Sequence, residues 1–185
     1  MNDNVYLGNP NLKKANTPHE FTEEQVIEFI KCKNDPVYFA KNYIKIVSLD
    51  EGLTQFHPYD FQETLIRRFH ENRFNICKMP RQTGKSTTSV SYLLHYAVFN
   101  DSTNIGILAN KAATARDLLG RLQTAYENLP KWMQQGIISW NKGSLELENG
   151  SKILAASTSA SAVRGMSFNI IFLDEFAFVP NHIAE

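Results

Sequence analysis

Along the chain the apolar positions change period several times, and each change marks an element. Val26, Phe29 and Ile30 recur at helical spacing behind Thr22, which has Gln25 three residues on, and this capping-box pair predicts a helix start. Pro36 interrupts that helix. The aromatic and aliphatic residues of 37–47 predict a short second helix leading into a small hairpin, turned over 48–52. A third helix is expected over 60–72, with Asp60 as N-cap, Glu63 three residues on and an apolar stripe of Phe61, Leu65, Ile66 and Phe69. Phe74 and Ile76 then alternate with polar neighbours, as in a strand. After a polar loop the helical pattern returns, with Val90, Leu93, Leu94, Ala97 and Val98 on one face.

The second half alternates in the same way. Residues 103–109 (TNIGILA) read as a buried strand, and Asn110 as the cap of a helix whose core positions are Ala115, Leu118, Leu119, Leu122, Tyr126 and Leu129, closed by Pro130. Residues 136–140 and 144–155 read as short strands, the latter bent at Asn149-Gly150, a strong hairpin dipeptide. The apolar run 168–173 (FNIIFL) reads as one more buried strand, ending in Asp174 and Glu175. Strands alternating with helices predict an α/β fold with a parallel sheet and helical crossovers.

Size limits this to one domain. The 185 residues, 43% of them hydrophobic, support a single core over residues 21–185, and residues 1–20, rich in Asn, Gly and Pro, read as a flexible arm. No apolar run approaches the roughly eighteen residues a membrane span needs, and the polar first sixteen residues have no signal-peptide core. Cys32 and Cys77 lie far apart without metal-ligand spacing, which suits ordinary core thiols in a reducing compartment. Nineteen basic residues balance nineteen acidic ones, so composition carries no electrostatic footprint for nucleic acid.

The candidate chemistry sits where the pattern passes from strand through loop to helix, in FNICKMPRQTGKST (residues 74–87). Such a turn points backbone N–H groups and the positive end of a helix dipole into the bend, which favours a polyphosphate. Gly84 lets the backbone approach, Lys85 reaches the β- and γ-phosphates, and the Ser86 hydroxyl coordinates Mg²⁺. The first glycine of G-x-x-x-x-G-K-[ST] is replaced by Met79, so the loop is a deviant P-loop, with Arg81, Gln82, Thr83 and Thr87 as its other nucleotide-side residues. Two carboxylates ending a buried strand are costly without a metal or partner. Asp174 and Glu175 therefore read as a Walker B pair, Asp174 toward Mg²⁺ and Glu175 as the general base that activates water. Gln62, upstream of the loop, is the candidate reader of the adenine edge.

Five stretches in order, DPVYFAKNYIKI, KMPRQTGKST, GILANKAATARDLL, WNKGSLELENGS and SAVRGMSFNIIFLDEFAFVPN, resemble the large terminase subunit of tailed double-stranded DNA phages, most closely the myovirus branch. The likeness covers nearly all of the chain from about residue 21. It implies a P-loop NTPase of the additional-strand, catalytic-glutamate type, an ATPase that uses ATP and Mg²⁺ to drive DNA into a procapsid. It also implies double-stranded phage DNA, the portal protein, the small terminase subunit and a ring of its own copies as partners, in the cytoplasm of the infected host at the portal. By the same likeness Arg81 matches the early loop arginine and Arg164 an arginine-glycine step before Walker B. A well-placed arginine stabilises phosphoryl-transfer charge by about 10³- to 10⁵-fold in rate; Arg81 would serve the chain's own ATP and Arg164 a neighbour's.

Members of that family continue past Walker B into the rest of the ATPase domain and a nuclease domain. Here the sequence ends at Glu185, eleven residues beyond Asp174. In the fold the resemblance implies, the next strand inserts between the Walker A and Walker B strands, so the sheet is expected to have a gap there and the nuclease is not expected from these residues. Two other readings follow from the same motifs. One is a helicase-like, nucleic-acid-stimulated ATPase; the other is an inactive truncated fragment that binds nucleotide weakly.

Overall fold

The computed structural model describes residues 4–48, 50–159 and 165–176. Helix α1 (Glu23–Asn34) starts at the expected capping box: the Thr22 side chain accepts from the Gln25 N–H and the Gln25 side chain from the Thr22 N–H. Pro36 occupies the first turn of α2 (Pro36–Tyr43), where its missing N–H costs nothing, and Asp35 caps that helix through the Val37 and Tyr38 N–H groups. Strands β1 (Lys45–Ser48) and β2 (Gly52–Gln55) form the predicted antiparallel hairpin. Helices α3 (Asp60–Glu71) and α4 (Lys85–Phe99) follow.

The second half builds the main sheet. Strand β3 (Asn104–Ala109), α5 (Ala112–Glu127), β4 (Ile137–Trp140), β5 (Ser144–Leu147), β6 (Lys152–Ser157) and β7 (Ile170–Asp174) are ordered β4-β5-β6-β3-β7. The sheet is mixed. β3 runs parallel to both β6 and β7, while β5 is antiparallel to its neighbours because β4, β5 and β6 are joined by short reversals, the second at Gly150 with φ 82°. The core lies between this sheet and α4 and α5, whose buried residues include the predicted Val90, Leu93, Leu94, Ala97, Val98, Ala115, Leu118, Leu119, Leu122 and Tyr126.

Several expectations are corrected. Residues 74–76 form no strand: the chain over 74–80 has no regular secondary structure, with Phe74 83% and Ile76 100% exposed. A strand is defined by its pairing, and among the described residues this stretch pairs with none. β7 is an edge strand, with β3 on one flank and, among the described residues, no strand on the other. For the same reason β7 is not a buried strand; its alternate residues Ile171 and Leu173 are exposed. Cys77, on the unpaired stretch, is exposed, whereas Cys32 is the expected core thiol.

Helix α3 turns its stripe by one position. Gln62 and Ile66, four apart on one face, are the buried residues, Phe61 is exposed, and the N-cap is Tyr59 rather than Asp60. Likewise Lys111, not Asn110, caps α5. The supposed flexible arm is docked. Leu12 is buried, Lys14 bridges to Ile137 beside β4, and Glu148 accepts from the N–H groups of Asn16 and Gly136 while facing the Lys13 ammonium at 3.5 Å. A buried leucine, the Glu148 carboxylate, the Gln134 amide and backbone bonds to Ile137 together hold a segment whose own composition specifies nothing.

Candidate functional site

The loop between residue 79 and α4 is shaped by two left-handed residues, Gln82 at φ 60° and Gly84 at φ 72°. The Thr83 hydroxyl donates to the Pro80 carbonyl (3.0 Å), and the Lys85 ammonium reaches the same oxygen at 3.4 Å, so the loop folds back over its own entry. Gly84 is also the N-cap of α4. The helix begins there with no side-chain cap and no acidic residue in its first turn, and its first bond to the cap carbonyl comes from Thr88. Among the described residues the N–H groups of Lys85, Ser86 and Thr87 have no acceptor. A helix start with bare donors and a lysine is suited to an anion.

Helix α3 braces this loop through Gln62. Its Oε1 accepts from the Tyr59 N–H (2.9 Å) and its Nε2 donates to the Thr83 carbonyl (3.1 Å). The approach is close: a Cβ on Gly84 would lie 2.4 Å from that nitrogen. Two reasons therefore require glycine at position 84, the positive φ and the Gln62 amide against its α-carbon. Among the described residues, Nε2 of Gln62 has this one acceptor for its two protons.

The carboxylates arrive on the sheet. In the β3–β7 register Asp174 stands beside Ala109, at the C-terminal end of both strands, which is the edge where α/β sheets bind ligands. Burial is the main cause that raises the Asp174 pKa, and the neighbouring Glu175 raises it further; the Lys85 ammonium and, more weakly, the Arg121 guanidinium pull it down. The Lys85 charge is thus felt at Asp174, although its only hydrogen bond among the described residues is to Pro80. Glu175 has left the strand geometry, at φ 52°, a conformation uncommon for a residue with a side chain.

Of the residues singled out from the sequence, Gln62 and residues 81–87 lie together at the start of α4, while Asp174 and Glu175 stand at the C-terminal end of β7. Arg81 is exposed and has no ion pair among the described residues. Arg164 lies outside the described residues. Two features were missed. Thr88 is fully buried with its hydroxyl on the Gly84 carbonyl, and the Tyr59 and Phe61 rings stack in solvent beside Gln62. An aromatic on each side of Asp60 was the available signal, obscured because Phe61 was counted into the core stripe.

Residues 76–185 match the family model described as terminase large subunit, T4likevirus-type, N-terminal. The chain belongs to this terminase family. Its fold is similar to that in the crystal structure of the HK97 bacteriophage large terminase, with a TM-score of 0.65 at 19% sequence identity, over 82% of this chain and 33% of that one. At that identity the likeness is one of fold. This terminase chain spans about a third of the length of that relative.

Proposed function

We propose that this terminase chain carries the ATP-binding and ATP-hydrolysing part of a DNA-packaging motor, built as a P-loop NTPase. The observation that carries the reading is the bare N-terminus of α4, which begins at Gly84 and Lys85 with no side-chain cap and no acidic residue in its first turn. Family membership supports the packaging role.

In this reading the phosphates of ATP rest on the N–H groups of residues 84–87, and Lys85 neutralises the β- and γ-phosphate charge. Magnesium fits the donor set: a serine hydroxyl at 86 and the Asp174 carboxylate, with substrate oxygens and water completing the shell, match a cation bound through few protein ligands. Bound there, it would polarise the phosphoryl oxygens as a Lewis acid. Glu175 accepts the proton of the attacking water, and Arg81 supplies added positive charge from the loop, with Arg164 assigned the same task toward a neighbouring copy. Gln62 holds the loop against α3 and keeps one N–H for the base. Double-stranded phage DNA, the portal, the small subunit and a ring of copies at the portal, in the cytoplasm of the infected host, are the partners and place that go with this role.

A second reading is favoured by the open sheet. With residues 73–80 unpaired and one edge of β7 uncovered among the described residues, the chain alone would bind nucleotide without turnover. Binding and turnover of Mg·ATP by the wild type, Lys85→Ala and Glu175→Gln separate the two. Turnover lost in both variants, with binding kept only in Glu175→Gln, is the outcome expected for the ATPase. Binding by wild type without turnover selects the second reading, and identical behaviour of all three proteins refutes both.

A further inference from the structure

Helix α1 packs one face inward and leaves an apolar face in solvent. Cys32 is buried and Gln25, Glu28 and Phe29 are half-buried, whereas Ile27 is 67%, Ile30 52% and Val26 44% exposed. None of these three aliphatics belongs to the core or packs against it. A single exposed isoleucine needs no explanation, but three such residues on one short stretch of helix make a patch, and a groove of about 400 Å³ lined in part by Phe21, Val26, Ile30 and Trp132 extends it.

The polar residues around the patch are ordered by charge. Glu23, Ile27, Ile30 and Asn34 follow one another at steps of four, three and four residues, the spacing of a helix-pairing seam, and Glu24 and Lys31 run along one side of it. Glu23 and Glu24 stand at the N-terminal end and Lys31 and Lys33 at the C-terminal end. The helix dipole accounts for those charges, but not for the isoleucines left in solvent between them. The Lys31 ammonium rests over the Tyr38 ring at 3.8 Å, which already restricts its stem. Such a face is complementary to itself turned end for end. Around a twofold axis Glu24 comes beside Lys31 of the other copy, twice over, and Ile27 meets Ile30; a parallel pair would set Glu24 against Glu24 and Lys31 against Lys31.

We propose that α1 is a self-docking surface on which two copies of this chain pair antiparallel, Ile27 and Ile30 forming the seam and Glu24 and Lys31 the flanking ion pairs. The contact differs in kind from a ring, where unlike faces meet, because a twofold interface closes at two copies. It does not depend on the nucleotide reading. The 12 residues of α1 span about 18 Å, so the interface belongs to the small class and the dimer is reversible, forming in the micromolar range.

Sedimentation velocity of the full chain, from low to high micromolar concentration, is the test. The wild type is expected to pass from monomer to dimer, and Ile27→Glu, which puts a carboxylate into the seam, to weaken the dimer by at least about tenfold. Glu24→Lys and Lys31→Glu each set like charges opposite at both ends of the pair and should each weaken it by about three- to tenfold. The double variant Glu24→Lys/Lys31→Glu reverses both signs and should restore it. All three side chains are exposed, so thermal melts of the variants at low concentration should match the wild type. A wild type that stays monomeric throughout, a dimer untouched by Ile27→Glu, or a double variant no tighter than the single charge variants overturns the proposal, as does association that continues past two copies.

Discussion

Gly84 and Gln62 make a coupled pair whose energetics can be worked from the structure. Alanine at 84 must adopt φ 72°, which costs about 1 kcal/mol for a residue with a Cβ. That Cβ would also stand 2.4 Å from the Gln62 Nε2, a separation atoms do not tolerate, so the amide must move. Gln62 is buried, and moving it breaks its bonds to the Tyr59 N–H and the Thr83 carbonyl. Each such bond contributes about 1 kcal/mol. Gly84→Ala is therefore expected to destabilise by about 3 kcal/mol and Gln62→Ala, which deletes the same two bonds, by about 2 kcal/mol. In the double variant the clash is gone and the bonds are already lost, leaving a total of about 3 rather than 5 kcal/mol. Urea unfolding of the four proteins measures this directly. A coupling of about 2 kcal/mol is the expected result. Additivity within about 0.5 kcal/mol would refute the claim that Gln62 and the loop are one mechanical unit.

Two further predictions concern the frame of the site. His95, on α4, is buried, its Nε2 donating to the Cys32 carbonyl and its Nδ1 without a partner among the described residues; burial, helped by the nearby His70, lowers its pKa from 6.5 to about 4 against the smaller opposing effects of the Cys32 carbonyl and, more weakly, Asp35. The folded state thus resists a proton that the unfolded chain accepts, so stability is whole above pH 6.5 and falls by about 3 kcal/mol between there and pH 4. Urea melts across that range should show the loss in wild type and a shallower one in His95→Phe; equal slopes would show that other groups drive it. Glu148→Ala removes the acceptor of the Asn16 and Gly136 N–H groups and the partner of Lys13, and should release the docked arm, read as a rise in amide exchange over residues 12–16 with α4 and β3 unchanged. Unaltered exchange there would mean that Leu12, Gln134 and the backbone bonds to Ile137 hold the arm without Glu148.

Local order was legible in the sequence because local signals determine it. The Thr22 and Gln25 capping box, Pro36 at a helix start, the Asn149-Gly150 reversal and the apolar faces of α4 and α5 all act within a turn or two of chain, and each element formed where those signals stand. The places of Gly84 and Lys85 at a turn into a helix and of Asp174 at a strand end were legible for a related reason, since both follow from the local pattern of the chain. What depends on a distant partner was not legible. Whether residues 74–76 pair as a strand depends on an available edge, not on their alternation. Whether Gln62 or Phe61 faces inward depends on what lies across α3, and the loop with its brace chose the glutamine. The arm around Leu12 and Glu148 has no intrinsic preference strong enough to order it, and contacts more than a hundred residues away do so. Sequence by itself determined the elements and the kinds of chemistry they carry; tertiary structure alone decided which faces are buried, which strand stays unpaired and which rings are left in solvent, because burial and pairing are properties of neighbours that the chain brings together only on folding.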